Sequence, residues 1–288
     1  MLPPVNDRAG SRIVMSRRLS TALLPLLIAA GVALAGIGSP VNAWAQDADA
    51  AVSEADAVAQ RLVDAHGMAG WQSLPYLRFD FAVEGGGQTQ IVSRNLWNRS
   101  TGAYRVELPD TAETVVIVQT NESAPGSVEG TAYRGGSEVD GEARAELLQM
   151  GYQRFINDTY WLLAPLKVFD EGVNRTYLPD SSDAEHDVLH LTFGDVGLTP
   201  DDEYWLYVDK ETGQLDRWAF RLQSMADDAR PAAFDWTGYV TLDAPEGPVT
   251  LAERHEGGAR SILTHNLQAP SEVPADAFTS PEPMLSSD

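Results

Sequence analysis

The chain has 288 residues, no cysteine, and 42 acidic against 20 basic residues, for a formal net charge of −22. Such a surface repels phosphate backbones and anionic lipid heads, which excludes nucleic acid as a partner. The lack of cysteine excludes a disulfide scaffold, a thiol nucleophile and thiolate metal sites. Lys167 and Lys210 are the two lysines; the other basic residues are arginines. This composition resembles that of proteins from halophilic bacteria, where salt screens self-repulsion. Cation binding is the alternative reading.

The N-terminus reads as a secretory signal. Arg8, Arg12, Arg17 and Arg18 form a positive region, Leu19 to Gly38 carries no charge, and Ala43-Trp44-Ala45 is a small-x-small cleavage pattern. Cleavage there would leave residues 46–288 as the mature chain, with residues 1–45 removed. Met15 is an alternative start, and the Arg17-Arg18 pair admits a twin-arginine route. An uncleaved anchor is the competing reading, since about 20 apolar residues suffice to span a bilayer. Without cysteine no diacylglyceryl anchor can form. The expected location is therefore the periplasm or the exterior.

A first helix is expected over about 54–66. Ser53 and Asp56 make a start resembling a capping box. Ala55, Val58, Ala59, Leu62 and Val63 recur at helical spacing, and Gly67 and Gly70 end the run. Period-two alternation then begins at Leu77, Phe79, Phe81 and Val83, and stops at Gly85-Gly86-Gly87. Further strands are expected at 89–97, 103–108, 114–118 and 131–134, an antiparallel meander. Leu147, Leu148, Tyr152, Phe155 and Ile156 mark a second helix, expected to end at Asn157-Asp158. The apolar, aromatic knot Thr159 to Pro165 follows. Strands resume at 186–193, 204–208, 215–223, around 234–236, 249–255 and 261–267. Residues 269–288, rich in proline and small or acidic residues, are expected to run over the surface of a single domain.

Long groups of strands flanking a helix exclude a βαβ alternation. The expected fold is α+β: a curved antiparallel sheet of about 10–11 strands forming a half-open barrel, packed against two main helices. A sheet of that many strands tends to curl.

Three blocks carry a family resemblance: Trp97 to Arg105, Asn157 to Lys167, and Tyr204 to Gly213. With them, residues 71–281 resemble a family of exported bacterial proteins that looks like the outer-membrane lipoprotein-sorting (LolA/LolB-like) superfamily. The resemblance implies a curved sheet partly closed by helices around an apolar space for acyl chains, in a soluble form without a lipid anchor. It carries over no catalytic residue and no cofactor.

The residues themselves point the same way. No hydrolase elbow, zinc-protease, phosphate-loop or dinucleotide motif is present. His186 and His190 share one face of an expected strand but stand about 13 Å apart, too far for one metal. Asp201-Asp202-Glu203 lacks the full calcium-loop pattern. His66 reads as a helix C-terminal cap. The candidate wall of an apolar pocket is Trp97, Phe155, Tyr160, Trp161, Leu163, Trp205 and Trp218, with ordinary core as the alternative. Arg99, Arg105 and Arg217 are candidate contacts to an anionic head group, with ion pairing to the abundant carboxylates as the alternative. Two functions follow: a non-catalytic binder or carrier of a lipid, fatty acid or lipidated protein, or a structural or protein-interaction domain with a filled core.

Overall fold

The computed structural model describes residues 54–109, 112–124, 126–194, 199, 201–226 and 228–286. The expected signal segment lies outside these residues.

The chain begins with α1 (Glu54–Ala65) and α2 (Met68–Ser73), then β1 (Tyr76–Gly85), β2 (Gln88–Asn98), β3 (Ala103–Leu108), β4 (Thr114–Gln119), β5 (Gly130–Arg134) and β6 (Ser137–Glu138). Helix α3 (Gly141–Leu163) follows. Then come β7 (Val173–Tyr177), β8 (His186–Phe193), β9 (Glu203–Asp209), β10 (Leu215–Arg221), β11 (Ala232–Leu242), β12 (Val249–Glu256) and β13 (Arg260–Gln268).

All thirteen strands join one antiparallel sheet in the order β6-β5-β4-β3-β2-β1-β13-β12-β11-β10-β9-β8-β7. Two meanders, β1–β6 and β7–β13, thus meet where the first strand pairs with the last. The remaining edges are β6 and β7, so the sheet curves without closing. Helix α3 leads from one edge to the other across the inner face. Its 23 residues give a length of about 34 Å at 1.5 Å per residue. The expected α+β half-open sheet is present. The count rises to thirteen through the two-residue β6 and the short β7, neither of which has enough alternation to register in the sequence.

Curvature has local causes near the central seam. The β1–β2 register shifts between Phe81 and Ala82, and the β1–β13 register shifts between Arg78 and Asp80. Near the second shift Asn266 adopts φ 54, a conformation that Asn tolerates better than most residues. Bulges of this kind bend a strand and raise its twist.

The first helix has the expected extent to within one residue, and Gly70 lies inside α2 rather than ending α1. Six residues give too little periodicity to announce a helix. Glycine is required here by contact: a Cβ on Gly70 would stand 2.3 Å from the Gly247 carbonyl oxygen, where the β11–β12 turn presses on α2.

The second helix runs on through Asn157-Asp158 to Leu163, with a short 3-10 turn over Ala164–Leu166. The expected stop is overruled by tertiary contacts. Asp158 accepts from Ser93 Oγ at 2.6 Å and from Asn157 Nδ2 at 2.8 Å, so these side chains have no need to compete for local backbone groups.

The turns keep the chemistry expected of them. Asp209 Oδ1 accepts from the backbone N–H of Glu211 and Thr212 and from the Thr212 hydroxyl, at 3.0, 2.6 and 2.7 Å. These bonds hold the Asp209 carboxyl below the usual range. Asn98 does the same for Ser100 and Thr101. Two of the resemblance blocks therefore contain side chain-closed turns.

The candidate ligand site between the sheet and α3

The inner face of the sheet is apolar and aromatic. Leu77, Phe79 and Phe81 of β1, Trp218 and Phe220 of β10, Phe234 and Trp236 of β11, and Leu251 of β12 form one core with the end of α3. From Asn157 to Leu163 every residue of α3 is buried, the signature of a helix surrounded on all sides. Its earlier half packs on β3–β5. There Gly151 lets the helix approach closely, since a Cβ would stand 2.7 Å from Val116 Cγ1.

Of the expected wall residues, Tyr160, Trp161, Leu163 and Trp218 lie in this interior and are buried. Tyr160 and Trp161 meet Trp218 at 5.5 and 4.9 Å between ring centroids. Trp97 and Phe155 form a neighbouring group with Tyr104, with centroid distances of 5.1 Å (Trp97–Phe155) and 4.9 Å (Tyr104–Phe155). These six residues are brought together along the helix–sheet interface. Trp205 is not among them. It is half-buried and stacks on His190 at 5.0 Å, on the opposite side of β9 from Tyr204 and Leu206. Strand alternation decides this: Trp205 falls between two inward residues.

The three arginines have separate fates. Arg99 donates to the carbonyl oxygens of Trp71 and Leu74, closing the end of α2. Its guanidinium lies 3.6 Å from the Trp71 ring centroid, and burial lowers its pKa to about 10. Arg105 is on the outer face, fully buried beneath the C-terminal tail. It pairs with Glu107 at 2.6 Å and donates to the carbonyl oxygens of Ala277, Ser280 and Glu282. Its Nε serves Glu107 and its two terminal nitrogens hold the tail. Arg217 sits exposed on the outer face, paired with Asp235.

Residues 269–286 lie across the outer face as a strap. Glu107 accepts from the backbone N–H of Met284 and Leu285 at 2.8 and 2.9 Å, and Arg78 donates to the Ser286 carbonyl at 2.8 Å. Under it Arg78 and Asp80 form a second buried pair.

A polar group was not foreseen inside the interface. Asp158, with no solvent access, faces Ser93, Asn157 and Arg154, the last at 3.5 Å. Burial raises the Asp158 pKa, opposed by Arg154 and the hydrogen bonds. The only sequence sign was an Asn-Asp pair within an apolar run. His66 also does more than cap α1. Its Nδ1 donates to the Thr250 carbonyl at 2.8 Å and its Nε2 accepts from Leu215 N–H at 3.3 Å. It ties the helix end to β12 and β10 as a neutral ring, with its pKa lowered by burial to about 4.

Two grooves mark the surface of the described residues. One runs along Asp201, Glu203, Arg221 and Gln223, and another along Asp183, His186, Tyr207 and Asp216. Among the described residues no group of three or more His, Asp or Glu is disposed to hold a metal ion, and no helix is long and apolar enough to cross a membrane.

The molecule thus belongs to the class of curved antiparallel sheets whose inner face is covered by helices. Protein-family models give no match to the sequence, and neither do curated proteins. Several solved structures are similar to the chain. The chain is similar to a DUF1329 family protein from Desulfovibrio piger, with a TM-score of 0.44 and 11% identity over 78% of this chain and 96% of that one. It is similar to a putative outer membrane lipoprotein-sorting protein domain from Vibrio parahaemolyticus (TM-score 0.44, 11% identity, 77% of this chain and 95% of that one). It is also similar to a LolA superfamily protein from Nitrosomonas europaea (TM-score 0.42, 10% identity, 77% of this chain and 97% of that one).

Proposed function

We propose that this is a non-catalytic periplasmic carrier, exported through its N-terminal signal, that holds an acyl chain of a lipid, fatty acid or lipidated protein between the sheet and α3. One observation carries this reading. The apolar inner face of an open sheet is covered by a helix that joins its two unpaired edges, not by further strands. A helix can shift as a unit while its backbone hydrogen bonds stay internal, so a chain could be admitted without breaking the sheet. Tyr160, Trp161, Leu163 and Trp218 would line the acyl site, with Trp97 and Phe155 at its β2–β3 end.

The interior as it stands favours a second reading. Trp161, Trp218 and Phe220 have no solvent exposure, as in a finished core of a protein-interaction domain. The two are separated by purifying the exported protein gently from a bacterial periplasm and recording its native mass spectrum before and after organic extraction. A lipid or fatty acid at near one-to-one stoichiometry is expected. Protein free of lipid that also takes up no fluorescent fatty acid would sink the carrier and leave the interaction domain.

A further inference from the structure

Four rings close a circuit in the interior. Trp161 of α3 meets Trp218 of β10 at 4.9 Å between centroids, and Trp218 meets Trp236 of β11 at 6.2 Å. Trp236 meets His255 of β12 at 4.4 Å, and His255 returns to Trp161 at 5.5 Å. All four residues are buried, and each carries a buried polar atom without a hydrogen-bond partner: the three indole Nε1 atoms and His255 Nδ1. Buried polar groups ordinarily find partners, because one left unpaired keeps its desolvation penalty with nothing to offset it. Four on one circuit call for a complement.

The required chemistry can be worked out. An indole nitrogen only donates. The hydroxyl of Thr264 has one hydrogen, which it gives to the Ala252 carbonyl at 2.8 Å. Its contact with His255 Nε2 at 3.1 Å is therefore one in which Nε2–H donates. Burial holds the His255 ring neutral, with a pKa lowered to about 3, so Nδ1 is left as an acceptor. The circuit thus offers three donors and one acceptor. A hydroxyl oxygen, with two lone pairs and one hydrogen, accepts from two of the indoles and donates to Nδ1. A protonated carboxyl has acceptor capacity for all three across its two oxygens and gives its hydrogen to Nδ1. A carboxylate has no hydrogen for Nδ1, and no cation on the circuit would offset its charge.

We propose that this circuit is the seat for the polar end of the ligand, a hydroxyl or protonated carboxyl group on an otherwise apolar chain. The proposal rests on the carrier reading above and names what that reading leaves open. Trp161 stands on the helix and the other three rings on the sheet, so an oxygen seated there would also bind α3 to the strands.

The test compares ligands that differ by the hydrogen alone. Protein recovered from a periplasm and stripped of lipid is titrated with 1-dodecanol and with its methyl ether, and with dodecanoic acid and its methyl ester. Binding is read by calorimetry and by the indole N–H resonances in ¹⁵N spectra. At least one hydrogen-bearing ligand is expected to bind about tenfold more tightly than its methylated partner, the equivalent of one hydrogen bond, and to shift two indole signals if it is the alcohol or three if it is the acid. Whichever pair shows the difference identifies the source as alcohol or acid. His255→Phe should abolish the preference and keep the affinity for the ethers. If the variant does not fold, the comparison on the unaltered protein decides alone. Equal affinities within both pairs, or preference without movement of the indole signals, would overturn the subsite while leaving the carrier standing. No binding by any of the four would overturn both.

Discussion

Two regions of this molecule bury polar groups, and they treat them in opposite ways. On the outer face of β1–β3, Arg78, Asp80, Arg105 and Glu107 pair with each other, and the C-terminal strap brings main-chain donors and acceptors to the groups that remain. On the inner face, around Trp161, three indole nitrogens and one imidazole nitrogen are buried with nothing to meet. The first arrangement is closed: its charges are spent on fixing the tail. The second has hydrogen-bonding capacity to spare. Burial alone therefore does not separate a structural site from a binding site; the balance of donors and acceptors does.

The largest effect that would probe this contrast is acidification. His66 and His255 are held neutral by burial, with folded pKa values of about 4 and about 3 against an ordinary 6.5. Below pH 6.5 the unfolded chain takes up protons that the folded chain refuses, so the stability contributed is complete above pH 6.5 and is lost as pH falls toward those values. Each histidine should cost about 3 kcal/mol between pH 6.5 and 4. Asp158 works the other way, because its raised pKa makes its charge a burden that protonation removes. Urea unfolding across this range should show a net loss, with a smaller slope in His255→Phe.

Next comes Arg105→Ala, which leaves Glu107 buried without its cation. A loss of about 3–5 kcal/mol is expected, with release of the tail seen as proteolysis after residue 268. An unchanged midpoint would show that the strap contributes nothing. Asp158→Asn should cost about 1–3 kcal/mol, since the amide keeps the shape but offers one acceptor oxygen where Ser93 Oγ and Asn157 Nδ2 each donate to a separate oxygen. It should also remove that residue's share of the pH dependence. Smallest is Arg217→Ala. Its pair with Asp235 is half exposed, and a change of about 0–1 kcal/mol is expected in the same unfolding measurement. A larger loss would mean that the outer face is more tightly organised at β10–β11 than its exposure suggests.

How much of the site was legible follows from the range of the forces involved. Tyr160, Trp161 and Leu163 stood out because an aromatic run beside Asn-Asp is conspicuous in so polar a chain. Trp236 and His255, which complete the circuit, did not, because each lies on a separate strand with an unremarkable local pattern. Trp205 was drawn into the set by its neighbours in sequence, although alternation along β9 turns it outward. The tail-holding role of Arg105 was hidden because, apart from Glu107 two residues on, its partners are carbonyls more than 170 residues away in sequence.

By itself the sequence determined the antiparallel strands, the side chain-closed turns at Asn98 and Asp209, the body of α1 and the acidic surface. All of these depend on contacts within a few residues or on composition. Tertiary structure decided that β1 pairs with β13, that α3 continues through Asn157-Asp158, and that the tail straps the outer face over Arg105 and Glu107. It also decided which four rings share one interior circuit. Those outcomes depend on pairing across long loops, where the partner of a buried polar group is chosen by the fold and not by its neighbours in the chain.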